Sequence, residues 1–182
     1  MLSSPDDCII RHPKANRRYG VFHTIRLAFG CFLFFKEVKM IIKEFNYLPE
    51  EARKIRSEVF VKEQGFVEEF DEIDGIAKNI VLYEKEQPIS TCRIYFNSEK
   101  QSFVIGRIAV IKELRRKNIG SKMINVAEET IKRDGGKSVM LSAQVRVAEF
   151  YEKQGYKKQG KTYLDEDCPH IWMKKNLEDI SK

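Results

Sequence analysis

At 182 residues, 42% hydrophobic and 11% aromatic, the chain is sized for one domain with a sizeable core and not for two. Its four cysteines (Cys8, Cys31, Cys92, Cys168) have no CxxC spacing and no histidines at ligand distance, which argues against a metal site and a disulfide framework and for a reducing, cytoplasmic compartment. Of the +6 net charge, residues 1–39 hold seven Lys/Arg against three Asp/Glu and the rest hold 26 against 24, so no basic surface for nucleic acid is expected.

Residues 1–39 differ in character from the rest of the chain. Arg11, Lys14, Arg17 and Arg18 precede an apolar stretch over residues 21–35, interrupted by His23 and Arg26. A transmembrane helix needs about 20 apolar residues, more than this run supplies. A signal peptide needs a small-residue cleavage site, and Phe35-Lys36-Glu37-Val38-Lys39 offers none. Three readings of this leader stay open: an artefact of start-site choice or cloning, a membrane-associating segment, or an export signal. The working domain is expected over residues 40–182, without membrane attachment.

Ile41-Ile42-Lys43-Glu44-Phe45 predicts a first strand. Pro49, Glu50 and Glu51 open a helix, because proline suits a first turn and acids suit the positive end of the dipole. Ala52, Ile55, Val59 and Phe60 continue it to Gly65, and an acidic loop follows over residues 68–74. Residues 80–83 and 89–96 predict a hairpin, and residues 102–111 a third antiparallel strand. Ile119, Met123, Ile124, Ala127 and Ile131 mark one face of an amphipathic helix that ends at Asp134-Gly135-Gly136. A short buried strand (residues 138–141), a helix carrying Val147, Phe150 and Tyr151 up to Gly155, and strands over residues 156–164 and 170–177 complete the pattern. The order β-α-β-β-β-α-β-α-β-β predicts an α/β (α+β) domain on a mixed sheet.

The chemistry concentrates where the third antiparallel strand gives way to the long helix. Arg115-Arg116-Lys117-Asn118-Ile119-Gly120-Ser121 is a basic turn that opens a helix directly after a strand. Free N–H groups at a helix start, with the positive dipole end, form a site for phosphate or pyrophosphate. Gly120 allows close approach, and Asn118 tolerates left-handed geometry. The alternative is a solvated loop with charges near a helix. Neither GxxxxGK[ST] nor GxGxxG occurs.

That turn resembles the acetyl-CoA pyrophosphate loop of the GNAT superfamily, R/Q-x-x-G-x-G/A, with Asn118 at the first glycine. Ala148-Glu149-Phe150-Tyr151-Glu152-Lys153-Gln154-Gly155-Tyr156 is similar to the family's FYxxxGF segment. Arg56-Ser57-Glu58-Val59-Phe60-Val61-Lys62-Glu63-Gln64-Gly65 resembles the R-x-x-VFV-x-EQ signature of the bacterial ElaA/YjcF-like branch. Glu69-Phe70-Asp71-Glu72-Ile73-Asp74, Ala143-Gln144 and residues 165–173 with Pro169-His170 continue that pattern. The matches span nearly all of residues 40–182, and none falls in residues 1–39.

The resemblance implies the GNAT acyl-CoA N-acyltransferase fold, a mixed six- to seven-stranded sheet flanked by about four helices. It implies an N-acetyltransferase that moves acetyl from acetyl-CoA directly to a primary amine of a small molecule or peptide. A non-catalytic acyl-CoA-binding or sensing module is the alternative, and a homodimer stays open. By the same resemblance, Ile108, Ala109 and Val110 hold the pantetheine arm between splayed strands. Arg115, Arg116, Lys117, Asn118, Ile119, Gly120 and Ser121 hold the pyrophosphate, and Gln144 also faces the cofactor. Tyr151, a phenol with an ordinary pKa of about 10, would protonate the departing thiolate, and the Val110 N–H would polarise the carbonyl. Tyr151 also reads as a core tyrosine beside Phe150.

The acceptor side is expected around Glu63, Gln64, Asp71, Asp74, Arg93 and His170. Either His170, the one histidine after residue 39, or Glu63 acting through water could be the base. The five acids Glu68, Glu69, Asp71, Glu72 and Asp74 would draw in a cationic amine or simply face solvent. Arg56, Arg93 and Arg107 would bind a substrate carboxylate or pair with that loop. Cys92 and Cys168 read as bystanders.

Overall fold

The computed structural model describes residues 40–178. The leader's three readings therefore lie outside the described residues. The strands are β1 (Met40–Phe45), β2 (Lys78–Glu84), β3 (Gln87–Asn97), β4 (Ser102–Val110), β5 (Ser138–Gln144), β6 (Lys157–Asp165) and β7 (Cys168–Asn176). They form one sheet in the order β1-β2-β3-β4-β5-β7-β6. Only β4 and β5 run parallel; all other neighbours are antiparallel.

Alternation along β2 sends side chains to two faces. Ile80 and Leu82 join Ile94, Val139 and Leu141 beneath α2 (Ile119–Arg133), whose Met123, Ile124, Ala127 and Ile131 form the predicted apolar stripe. α3 (Ala148–Lys153) adds Ala148 and Tyr151 to this core. Val81 and Tyr83 face the other way, against Ala52 of α1 (Glu50–Arg56). The sheet is thus the middle of three layers.

Three α-helices occur among the described residues, where the resemblance implied about four. Residues 57–62 continue from α1 as a π turn, in which Glu63 N–H reaches back five residues to Glu58 O at 3.1 Å. The wider turn keeps Val59 buried against Ala109 and delivers Glu63 and Gln64 to the open side of β4. The β2–β3 hairpin closes on Lys85-Glu86, both left-handed at φ 48° and 69°. A two-residue turn of this hand matches the twist of the strands it joins.

At the end of α2, Gly135 (φ 85°) reverses the chain and Gly136 N–H donates to Ile131 O at 2.8 Å. A Cβ on Gly136 would lie 2.3 Å from Ile131 Cγ2 and 2.7 Å from the Phe103 ring, whereas one on Gly75 would meet nothing within 4 Å. Gly136→Ala should therefore lower unfolding stability in urea by about 1–3 kcal/mol. Gly75→Ala should be within about 0.5 kcal/mol of the parent; equal effects would refute the packing argument.

Candidate active site

The site begins with a defect in the sheet. β4 and β5 pair only at Phe103–Val139 and Val104–Met140, after which they separate. On its other side β4 passes from Gly106, opposite Arg93, to Ala109, opposite Thr91, so it carries one residue more than β3 over that span. This is a β-bulge, and Arg107 within it is left-handed at φ 51°. Ile111 N–H donates to Ile89 O at 3.1 Å, which makes Ser90–Val110 a non-hydrogen-bonded pair. In such a pair the N–H and C=O of Val110 point away from β3. The outer edge of β4 is consequently open, and Ile108, Ala109 and Val110 line a cleft of about 750 Å³.

The chain from β4 into α2 brings a second feature to the same cleft. Arg116 and Asn118 are left-handed at φ 62° and 59°, with Asn118 as the N-cap of α2. The amides of Ile119, Gly120 and Ser121 then start a 15-residue helix without acceptors inside it. Arg116, Asn118, Ile119, Gly120 and Ser121 line the cleft. A Cβ on Gly120 would come 3.3 Å from the Phe150 ring, so glycine here serves the packing of α3. Lys117 is exposed and outside the cleft.

Arg115 also lines the cleft, and its side chain already has partners there. Its guanidinium lies 2.8 and 3.0 Å from the Glu63 carboxylate, and its Nε donates to Val110 O at 3.0 Å. It ties the π turn to β4. The bond from Arg115 also holds the Glu63 carboxyl below its ordinary value, which makes Glu63 a poor proton acceptor.

The acidic loop is only partly a solvated face: Glu68 and Glu72 are exposed, whereas Glu69 and Asp74 are buried. Arg56, 1% exposed, donates to Glu69 Oε1 at 2.6 Å and to both oxygens of Asp74 at 2.6 and 2.9 Å. Arg93 donates to Asp71 at 2.6 and 2.7 Å and to Asp74 at 2.9 Å. Arg107 completes the set, 2.9 Å from Glu69 Oε2 and 3.2 Å from the Glu69 carbonyl. Asp71, Asp74 and Arg93, expected to meet substrate, do not line the cleft; they fold the loop onto the bulge. Burial pushes Asp74 and Asp71 upward, but bonds from Arg56 and Arg93 outweigh it and leave both below the ordinary aspartate value. In Glu69 burial prevails and the carboxyl is raised.

Tyr151, Gln64, Gln144 and His170 all line the cleft. Burial, with no protein partner for the hydroxyl among the described residues, pushes Tyr151 up to about 12, not the ordinary phenol value expected from sequence. His170 Nδ1 lies 2.9 Å from Cys168 O. A carbonyl only accepts, so in the neutral ring Nδ1 carries the proton and Nε2 the lone pair. Cys92 is buried and its thiol pushed up, consistent with a bystander. Sequence reasoning missed Arg146, held by Gln144 and Gln64, and Glu166, whose carboxylate accepts from Val67 and Glu68 N–H at 2.8 and 2.9 Å. Arg146 sits in no motif, and Glu166 lies within the 165–173 segment without being singled out there; only the β5 strand ending just before Arg146 hinted at a rim position.

An open strand edge running into an amide-rich helix start fits a ligand made of amide units and a diphosphate. These are the features of an acyl-CoA-dependent acyltransferase. Residues 46–177 match the family model described as an acetyltransferase (GNAT) domain, and the chain belongs to that family. The uncharacterized N-acetyltransferase YjcF of Bacillus subtilis is 31% identical over 142 residues, covering 76% of this chain and 100% of the relative. YyaT of the same organism is 34% identical over 134 residues, 70% of this chain and 88% of the relative. The crystal structure of Escherichia coli ElaA superposes with a TM-score of 0.66 at 24% identity, over 74% of this chain and 98% of that one, and shows the same fold. The chain is accordingly an acyltransferase with acetyl-CoA as donor.

Because Asp71 and Asp74 titrate below the usual range, their contribution to stability is complete above pH ~4 and lost as pH falls through their lowered values. Arg93→Met, which strips partners from both, should cost about 3–5 kcal/mol at pH 7. The gap from the parent should narrow in urea titrations toward pH 3. A gap independent of pH would show that Arg93 acts only by packing.

Proposed function

We propose that residues 40–182 form an N-acetyltransferase that moves an acetyl group directly onto a primary amine of a small molecule or peptide. The observation that carries this reading is the convergence, in one cleft, of an open strand edge at Val110 with Tyr151 and His170, whose Nδ1 is engaged by the Cys168 carbonyl. Bound acetyl-CoA supplies an activated acetyl thioester; the remaining requirements fall to the chain.

Ile108, Ala109 and Val110 offer backbone groups to amides, and the α2 amides of Ile119 to Ser121, with the Arg116 side chain, face a pyrophosphate. Gln144 stands at the cleft wall opposite Val110's strand. The outward Val110 N–H donates to an oxygen that gains negative charge, the role of an oxyanion donor. His170 Nε2 takes the proton that an ammonium must lose before its nitrogen can attack. The Arg115 pair leaves Glu63 unsuited to that task, so His170 is the base in this proposal. Tyr151 holds its proton at Oη well above neutral pH. Against a thiol of ordinary pKa about 8.5 it therefore stabilises a departing thiolate chiefly by hydrogen bonding, with full transfer uphill.

Acetyl-CoA at a hundredfold excess over Kd should raise unfolding stability by about 2.7 kcal/mol. Tyr151→Phe should lower kcat by about 100-fold while the acetyl-CoA-induced rise in midpoint is preserved. Unaltered turnover in that variant would take Tyr151 out of the reaction. A full rise in midpoint with no CoA released to any amine would instead favour a binding or sensing module.

A further inference from the structure

Next to the cleft lies a second cavity of about 470 Å³, walled by Glu63, Gln64 and Phe66 on one side and Glu166, Asp167 and Pro169 on the other. Arg146 lines both cavities. The second cavity contains no residue of β4 or of the α2 start, so it is the acceptor's side of the site.

The cations lining the two cavities differ in what answers their charge. Arg107 faces Glu69 and Asp71, and Arg115 faces Glu63. Arg116 belongs to the turn at the start of α2. Arg146 has neutral partners: its Nε donates to Gln144 Oε1 at 2.8 Å and its Nη2 to Gln64 Oε1 at 3.1 Å. Gln144 Nε2 in turn donates to Gln64 Oε1 at 2.8 Å, closing a ring of three side chains from two walls of the site. Amide oxygens fix a guanidinium's orientation without neutralising it, and they leave donors of its planar fork unused. Such a group is prepared for a carboxylate.

The acids of the second cavity sort in the same way. Glu63 is matched by Arg115, whereas two backbone amides orient Glu166 without cancelling its charge. Asp167 meets no cation among the described residues. One oriented cation beside two carboxylates that lack a cationic partner among the described residues, in a space of this size, suits a small zwitterion, which presents both a carboxylate and an ammonium.

Resting on the N-acetyltransfer reading of the cleft, we propose that Arg146 binds the carboxylate of the acceptor, so that the acceptors are amines of the α-amino acid class. Gln64 and Gln144 are positioning residues that set the guanidinium plane. Asp167 attracts the ammonium form on approach, and His170 removes its proton.

The test compares each of several α-amino acids with its carboxamide and its decarboxylated amine, using full-length protein, acetyl-CoA and CoA thiol release. The acids should be preferred in kcat/KM by about 10- to 100-fold, the worth of a charge-assisted hydrogen bond. Arg146 is exposed, so Arg146→Gln should fold with an unchanged unfolding midpoint. It should raise KM for the amino acids by that same factor, leave kcat and the KM for acetyl-CoA little changed, and erase the preference; Arg146→Lys should restore part of it. Equal turnover of all three forms would overturn the proposal. So would a raised KM for acetyl-CoA in Arg146→Gln, which would give the guanidinium to a donor phosphate. If no amine is turned over while acetyl-CoA still raises the midpoint, the N-acetyltransfer reading fails, and this proposal with it.

Discussion

The largely buried cluster of Arg56, Arg93, Glu69 and Asp74, with Arg107 and Asp71 at its margin, is the interaction on which the site depends. A left-handed Arg107 inside a strand is unfavourable on its own. It persists because its guanidinium is held by Glu69 and Asp71, which are in turn fixed by Arg56 from α1 and Arg93 from β3. Charge pairing thus stabilises the bulge, which lies in the stretch of β4 that has already parted from β5 and lines the cleft. Loss of one member of such a cluster leaves a buried charge unanswered, so local stability and site geometry change together.

Helix α1 has a related double duty. Its first turns pack on Val81 and Tyr83, while its widened final turn places Glu63 and Gln64 at the rim. Arg115 then ties that rim to the end of β4 through Glu63 and the Val110 carbonyl. The same side chain thus ties two elements together while lining the cleft.

Much of the fold was legible because it is local. Alternation in β2 and β3, the stripe on α2 and the Gly135-Gly136 stop all follow from periods and turn chemistry that a few residues carry. The donor end of the site was legible for the same reason, since one strand–turn–helix segment supplies it. The acceptor side was not. Asp71, Asp74 and Arg93 looked like substrate contacts because charges in a sequence carry no partner labels; their partners lie 18 to 22 positions away. The Tyr151 shift came from burial, which its neighbours in sequence do not reveal. Arg146 meets Gln64 across 82 positions, beyond any motif.

Glu166 carries a consequence for how the protein comes into being. Its carboxylate joins the turn between β6 and β7 to amides 98 and 99 positions earlier, and β7 must insert between β5 and β6 before that bond can form. Contacts so distant close late, after the loop entropy between them has been overcome. The elements that offer the donor its backbone groups are complete by residue 133, whereas one wall of the acceptor cavity is encoded in residues 166–169. A chain emerging during synthesis therefore carries the donor-binding segments well before it can recognise anything to modify.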